Sequence, residues 1–85
     1  MAKTANTNLS ELHIGEEAIV VSFCNEDVSL KLMEMGMVPG ERISIERIAP
    51  LGDPIAVWVS GYLLSLRKED AASVLVSDRK KKVQP

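Results

Sequence analysis

The sequence is poor in the residues that most chemistry needs. It holds one cysteine, Cys24, one histidine, His13, and three aromatic residues, Phe23, Trp58 and Tyr62. A single cysteine cannot close an internal disulfide, so the fold does not depend on an oxidising compartment. A single imidazole falls short of the two-histidine, one-carboxylate arrangement that suits iron(II). With so few aromatics the core must be aliphatic, and the aromatic-lined groove that usually takes proline-rich peptides cannot be built. No apolar run approaches the ~18 residues of a membrane-spanning helix. The N-terminus, MAKTANTNLSEL, lacks the apolar stretch of a secretory signal. The expected location is the cytoplasm, with any membrane role exercised through a partner. No G-x-x-x-x-G-K-[ST] loop is present to cradle a nucleotide, so hydrolysis of one would belong to that partner.

What is there describes one small domain. The 85 residues are 46% hydrophobic and 26% charged, an ordinary globular balance. A chain of this size buries roughly 60–65% of its unfolded surface, enough for one core and no deep substrate cavity. The formal charge of −2 conceals an uneven distribution. Between Leu9 and Asp78 stand five basic and twelve acidic residues, a net of −7, while Arg79 to Lys82 are all basic. An acidic body repels phosphate backbones, which argues against nucleic acid as a partner.

Periodicity places the elements. Residues 1–8 are polar and aperiodic and are expected to be disordered. Leu9-Ser10-Glu11-Leu12 forms a turn, and Ala18 to Phe23 is a β-rich strand with Ile19, Val20 and Val21 in succession. Asn25 offers a helix N-cap followed by the acids Glu26 and Asp27. Val28, Leu32 and Met35 then recur at helical spacing, and Gly36 falls at the C′ position. Pro39-Gly40 marks a turn. Ile43 and Ile45 alternate with polar residues in a strand from Glu41, an alternation that Arg47 breaks. A loop with two prolines and a glycine, 49–54, precedes a strand with Ile55, Val57 and Val59 on its core face. Ser60-Gly61 turns into a strand from Tyr62 to Leu66. A short helical turn from Lys68 to Ser73 and a last strand, Val74-Leu75-Val76, complete a domain of residues 9–77. Residues 78–85 read as a disordered basic tail. About five strands with one inserted short helix should curl into a small, mainly β, partly open barrel to hide their edges.

Five segments carry a resemblance. Leu9-Ser10-Glu11-Leu12, Gly15-Glu16, Leu32-Met33-Glu34-Met35-Gly36-Met37-Val38-Pro39-Gly40, Ala49-Pro50-Leu51-Gly52-Asp53-Pro54 and Ser60-Gly61-Tyr62-Leu63-Leu64-Ser65-Leu66-Arg67-Lys68 resemble, in order and spacing, the FeoA family of small components of bacterial ferrous iron transport. The resemblance covers roughly residues 9–76 and implies an SH3-like barrel, in agreement with the strand pattern. It also implies a partner, the membrane ferrous-iron transporter GTPase FeoB, and the role of a cytosolic accessory or regulatory protein. The alternative is a stand-alone regulatory SH3-like module that senses metal or binds a transcription factor. A similar barrel closes iron-dependent repressors, but those carry a DNA-binding domain upstream, where this sequence has about eight residues.

No enzyme, no resident metal and no cofactor are expected. Cys24 and His13 flank opposite ends of one strand, 11 residues apart, and at ~3.3 Å per residue they stand too far apart to act together. Met33, Met35 and Met37 suggest a copper(I) string, yet residues two apart on a helix do not share a face, and packing explains them better. Glu16-Glu17 and Glu69-Asp70 read as solvated acids. Partner binding has better candidates. Trp58 points away from the core face, flanked by Ala56 and Ser60, where it either anchors a partner, as tryptophan often does at interface hot spots, or is covered by the inserted helix. Leu51 sits at the tip of a rigid loop with no core duty, although the loop also serves as a tight turn. Met35 and Met37, at the helix end, complete the expected docking surface. An open barrel edge leaves room for weak self-association. The basic tail could add ~1 kcal/mol per charge at an anionic membrane, though a solubilising, disordered terminus explains it better.

Overall fold

The computed structural model describes residues 7–82. Its strands are β1 (Thr7–Asn8), β2 (Glu16–Phe23), β3 (Arg42–Ile48), β4 (Ile55–Val59), β5 (Tyr62–Leu66) and β6 (Val74–Lys81). A 3-10 turn, Leu9–Glu11, follows β1, helix α1 (Glu26–Glu34) joins β2 to β3, and helix α2 (Lys68–Ala71) joins β5 to β6. All six strands form one sheet in the order β1-β6-β2-β3-β4-β5, antiparallel at every pairing. The sheet is open, with β1 and β5 as its edges. This is the mainly β, partly open, SH3-like architecture expected, with the short β1 as a sixth strand.

Alternation decides which side is core. Ile43 and Ile45 of β3, Ile55, Val57 and Val59 of β4, Leu66 of β5 and Val74 and Val76 of β6 are all buried, together with Leu9, Leu12 and Leu32. Each fully buried aliphatic side chain contributes about 1.5–3 kcal/mol of transfer free energy. The break at Arg47 is a β-bulge. Ile45 pairs with Val57 and Arg47 with Ala56, so Glu46 is the extra residue. After it Ile48 returns to face Ile55. Two further bulges interrupt the β2–β6 pairing, and such irregularities bend and twist a sheet.

α1 begins as the sequence indicates. The Asn25 side chain accepts the N–H groups of Asp27 and Val28. It ends in a Schellman motif: the N–H of Gly36 donates to the Met33 carbonyl at 3.1 Å and that of Met37 to the Leu32 carbonyl at 3.0 Å. Gly36 has φ of +96°, the left-handed conformation this motif demands.

Two expectations about the ends need correction. Thr7–Asn8, within the polar stretch expected to be disordered, pairs with Val76 and Leu75 of β6. Residues 1–6 lie outside the described residues. Likewise, the basic segment from residue 78 is not a loose tail. β6 passes through a bulge at Asp78, whose φ is +57°, and continues with Lys80 opposite Glu17 and Lys81 opposite Glu16. Opposite charges placed across antiparallel strands attract, and aspartate tolerates the left-handed bulge conformation. The cue lay in β2, some 60 residues upstream, and not in the basic run itself. Residues 83–85 lie outside the described residues.

Candidate docking face

The outer side of the sheet carries one continuous cross-strand row. Lys80 of β6 stands opposite Glu17 of β2, Glu17 opposite Ser44 of β3, Ser44 opposite Trp58 of β4, and Trp58 opposite Leu63 of β5. The row is charged at one end and apolar at the other. Trp58 remains 39% exposed and Leu63 46% exposed, large values for apolar side chains in the middle of strands. The indole is not free to turn. Its Nε1–H donates to Glu46 Oε1 at 2.7 Å, so the residue that the β3 bulge pushes out fixes the tryptophan's orientation. A rigid aromatic whose polar atom is satisfied loses little entropy on docking, the property of a good anchor.

Between the two ends of the row lies a surface groove of about 280 Å³. Ser44, nearly buried, sits beneath it, Trp58 and Ser60 form one side, and Glu17, Arg42 and Lys82 the other. Glu17 is shared by two cations, with Arg42 Nη1 at 3.1 Å and Lys80 Nζ at 3.7 Å.

The other candidate residues fall in different places. Leu51 is 95% exposed at the tip of the β3–β4 loop. That loop is closed by hydrogen bonds from Ala49 N to Pro54 O (3.1 Å) and from Gly52 N to Ala49 O (2.7 Å), and Asp53–Pro54 is a cis peptide. It is therefore a tight turn that also presents an apolar side chain. From Ile55 at its base to Trp58 is three strand residues, about 10 Å, so Leu51 and Trp58 are separate features. Met35 is half-buried at the C-cap of α1, packed against the core. Met37 corrects the expectation. It is wholly buried, because the residue after a Schellman glycine folds back onto the helix's last turn, here onto Leu32. Met37 cannot touch a partner in this conformation.

Three further members of the face were within reach of the sequence or outside it for clear reasons. Leu63 follows from the two-residue Ser60-Gly61 turn, which sets Val59 against Tyr62 and hence Trp58 against Leu63. Arg42 and Lys80 meet only through Glu17, a long-range register that no local pattern encodes.

At the far corner, Glu16 accepts the backbone N–H of His13 at 2.7 Å and the Arg79 guanidinium at 3.1 Å. Burial works to raise its pKa, but these two partners outweigh it and hold the carboxyl below the usual range. His13 Nδ1 lies 3.4 Å from Glu16 and 3.2 Å from Arg79 Nη2, so a fixed cation occupies the histidine's surroundings. Among the described residues no three His, Cys, Asp or Glu side chains converge as metal ligands, and no helix is long and apolar enough to cross a membrane.

Comparison with known proteins agrees with this architecture. A FeoA domain model matches residues 7–78. A Porphyromonas gingivalis (strain ATCC BAA-308 / W83) protein, the Fe(2+) transport protein A/Fe(2+) transporter FeoB fusion protein, is 44% identical over 69 residues, covering 80% of this chain. This chain spans only 8% of that relative's length. The NMR structure of a FeoA-like protein from Clostridium acetobutylicum superposes with a TM-score of 0.80 at 40% identity, covering all of this chain and 94% of the other. The crystal structure of Stenotrophomonas maltophilia FeoA complexed with zinc, described as a procaryotic SH3 domain protein, gives a TM-score of 0.78 at 28% identity over 91% of this chain and 99% of the other. The matched span runs from β1 to the bulge of β6, through every strand of the sheet, and this chain belongs to the FeoA domain family.

Proposed function

We propose that this chain is an accessory module of bacterial ferrous iron uptake that docks, from the cytoplasmic side, onto the membrane GTPase transporter FeoB. The observation that carries this reading is the P. gingivalis relative, in which a segment 44% identical to this chain belongs to one polypeptide named for both FeoA and FeoB. Fusion places two modules at high effective concentration, which is useful only if they work together. The exposed and oriented Trp58, with Leu63 beside it, supplies an anchor for such a contact, and Leu51 supplies a second apolar projection. The chain acts by binding and not by catalysis. Docking biases the transporter by preferring one of its conformations, so its effect equals its differential affinity for them.

The test is binding of the purified chain to the cytosolic GTPase portion of a FeoB-type transporter, with GDP and with a non-hydrolysable GTP analogue. Saturable binding that weakens in Trp58→Ala supports the reading. Absence of binding in every nucleotide state, both to that portion and to the complete detergent-solubilised transporter, overturns it.

A further inference from the structure

Charge on the docking face runs against charge on the rest of the domain. Residues 7–82 carry twelve acidic and nine basic side chains, a net of −3, and without Glu17, Arg42, Lys80 and Lys82 the remainder carries −5. Yet the groove beside Trp58 is lined by Arg42 and Lys82, with Lys80 next to them, and Glu17 is the one carboxylate among the described lining residues. Glu17 is already engaged by Arg42 and Lys80. Lys82 is exposed and has no carboxylate partner among the described residues. It is held in place by its backbone, whose N–H donates to the Gly15 carbonyl at 2.7 Å. The groove therefore has a cationic wall with surplus charge and, across a floor at Ser44, an aromatic wall backed by Leu63.

We propose that this groove receives an acidic segment of a protein partner that carries an apolar side chain. The apolar group lies against Trp58 and Leu63, and flanking carboxylates meet Arg42 and Lys82. The proposal rests on the docking role above and names the chemistry that the face recognises. Charge complementarity selects the sign of the segment, and the acidic remainder of the domain excludes binding in other orientations. An anionic lipid surface fits less well. The site is concave, and a flat negative surface reaching it would also face the acidic remainder of the domain around it.

Trp58 is the sole tryptophan, so its emission reads the groove directly. The full chain is titrated with a short synthetic peptide carrying one leucine among glutamates. Parallel titrations use a peptide with serine for the leucine, one with lysines for the glutamates, and vesicles of phosphatidylserine and phosphatidylcholine. The expected result is a saturable blue shift with the glutamate–leucine peptide, weakened by raised salt and weakened about tenfold or more in the double variant Arg42→Glu, Lys82→Glu. The same groove should bind the serine and lysine peptides at least about tenfold more weakly. Amide spectra confirm that the variant is folded. Lys82→Glu alone, at an exposed site, serves if the double variant is not. An equal response to the lysine peptide, a larger response to the vesicles, or undiminished binding by the folded variant overturns the proposal. Transporter binding that ignores the two charge reversals defeats the groove while leaving the docking role intact. Peptide binding without transporter binding does the reverse.

Discussion

Gly36 and Tyr62 meet where the end of α1 rests on the β4–β5 turn: a Cβ on Gly36 would stand 2.9 Å from the Tyr62 hydroxyl. The Ser60 hydroxyl also donates to the Gly36 carbonyl at 3.3 Å. Ser60 and Gly61 both have positive φ, at 51° and 85°, as a two-residue hairpin turn requires. The helix terminus and the hairpin that bears Trp58 and Leu63 are thus seated on one another, so an error at one displaces the other.

Gly36→Ala should therefore destabilise the domain by about 1–2 kcal/mol, the cost of the left-handed conformation for an L residue. For a chain of this size that lowers Tm by roughly 4–8 °C per kcal/mol. The Tyr62 ring is partly exposed and its tip can swing aside, so the steric share should be small. Thermal unfolding of Gly36→Ala in the wild-type and Tyr62→Phe backgrounds separates the two. A penalty that disappears in Tyr62→Phe contradicts a backbone origin.

Asp53 ties the β3–β4 loop to α2. Its Oδ1 accepts the backbone N–H of Lys68 at 3.0 Å, the first residue of a helix whose own N-cap, Arg67, offers no side-chain bond. Asp53→Ala should cost about 0.5–2 kcal/mol, the usual loss of a cap, and Asp53→Asn should restore most of it. Hydrogen exchange at the Lys68 amide is the local readout. Protection unchanged in the alanine variant would mean that the cap carries no weight.

The fold was largely legible because its signals are local. Alternation gave β3, β4 and β5, the Asn25 cap and Gly36 bounded α1, and Ser60-Gly61 fixed a hairpin. Trp58 was legible for the same reason, since its neighbours Val57 and Val59 claim the core face. What escaped was set by register between distant strands. The pairing of Lys80 and Lys81 with Glu17 and Glu16 cannot be seen in a run of basic residues, which reads as solvated wherever no partner is in view. Arg47 was legible as a break in pattern, but only the register shows that Glu46 is the displaced residue and that it grips the indole. Met37 is different, because the C′ position given to Gly36 already implied a residue folding back at the next position.

The two helix-end methionines should separate sharply on truncation. Met37 is fully buried beside Leu32, so Met37→Ala should cost about 2–5 kcal/mol, enough to leave the domain barely stable. Met35 is only half-buried, and Met35→Ala should cost distinctly less. Urea denaturation of both variants decides it. Similar losses would mean that the two side chains share one environment.

Glu16 gives the domain an acid-sensitive joint. Burial of its side chain, 16% exposed, disfavours the charge, but the His13 N–H and Arg79 favour it more strongly, so the folded-state pKa lies below the ordinary value. A carboxylate of this kind contributes stability that is fully present above its unfolded pKa, about 4.3. That contribution is lost as pH falls through the folded value, because the folded state then takes up the proton it had resisted. Glu16→Gln removes the ionisation and keeps the shape. At pH 7 the variant should be less stable than wild type, and the gap should narrow as the pH drops below about 4. The comparison needs urea denaturation of both proteins at matched ionic strength, since part of the Arg79 contact is exposed and screened by salt. A gap of constant size from pH 7 to pH 3 would show that Glu16 acts through packing or neutral hydrogen bonds, and that the end of β6 is held to β2 by its backbone pairing without help from the charge.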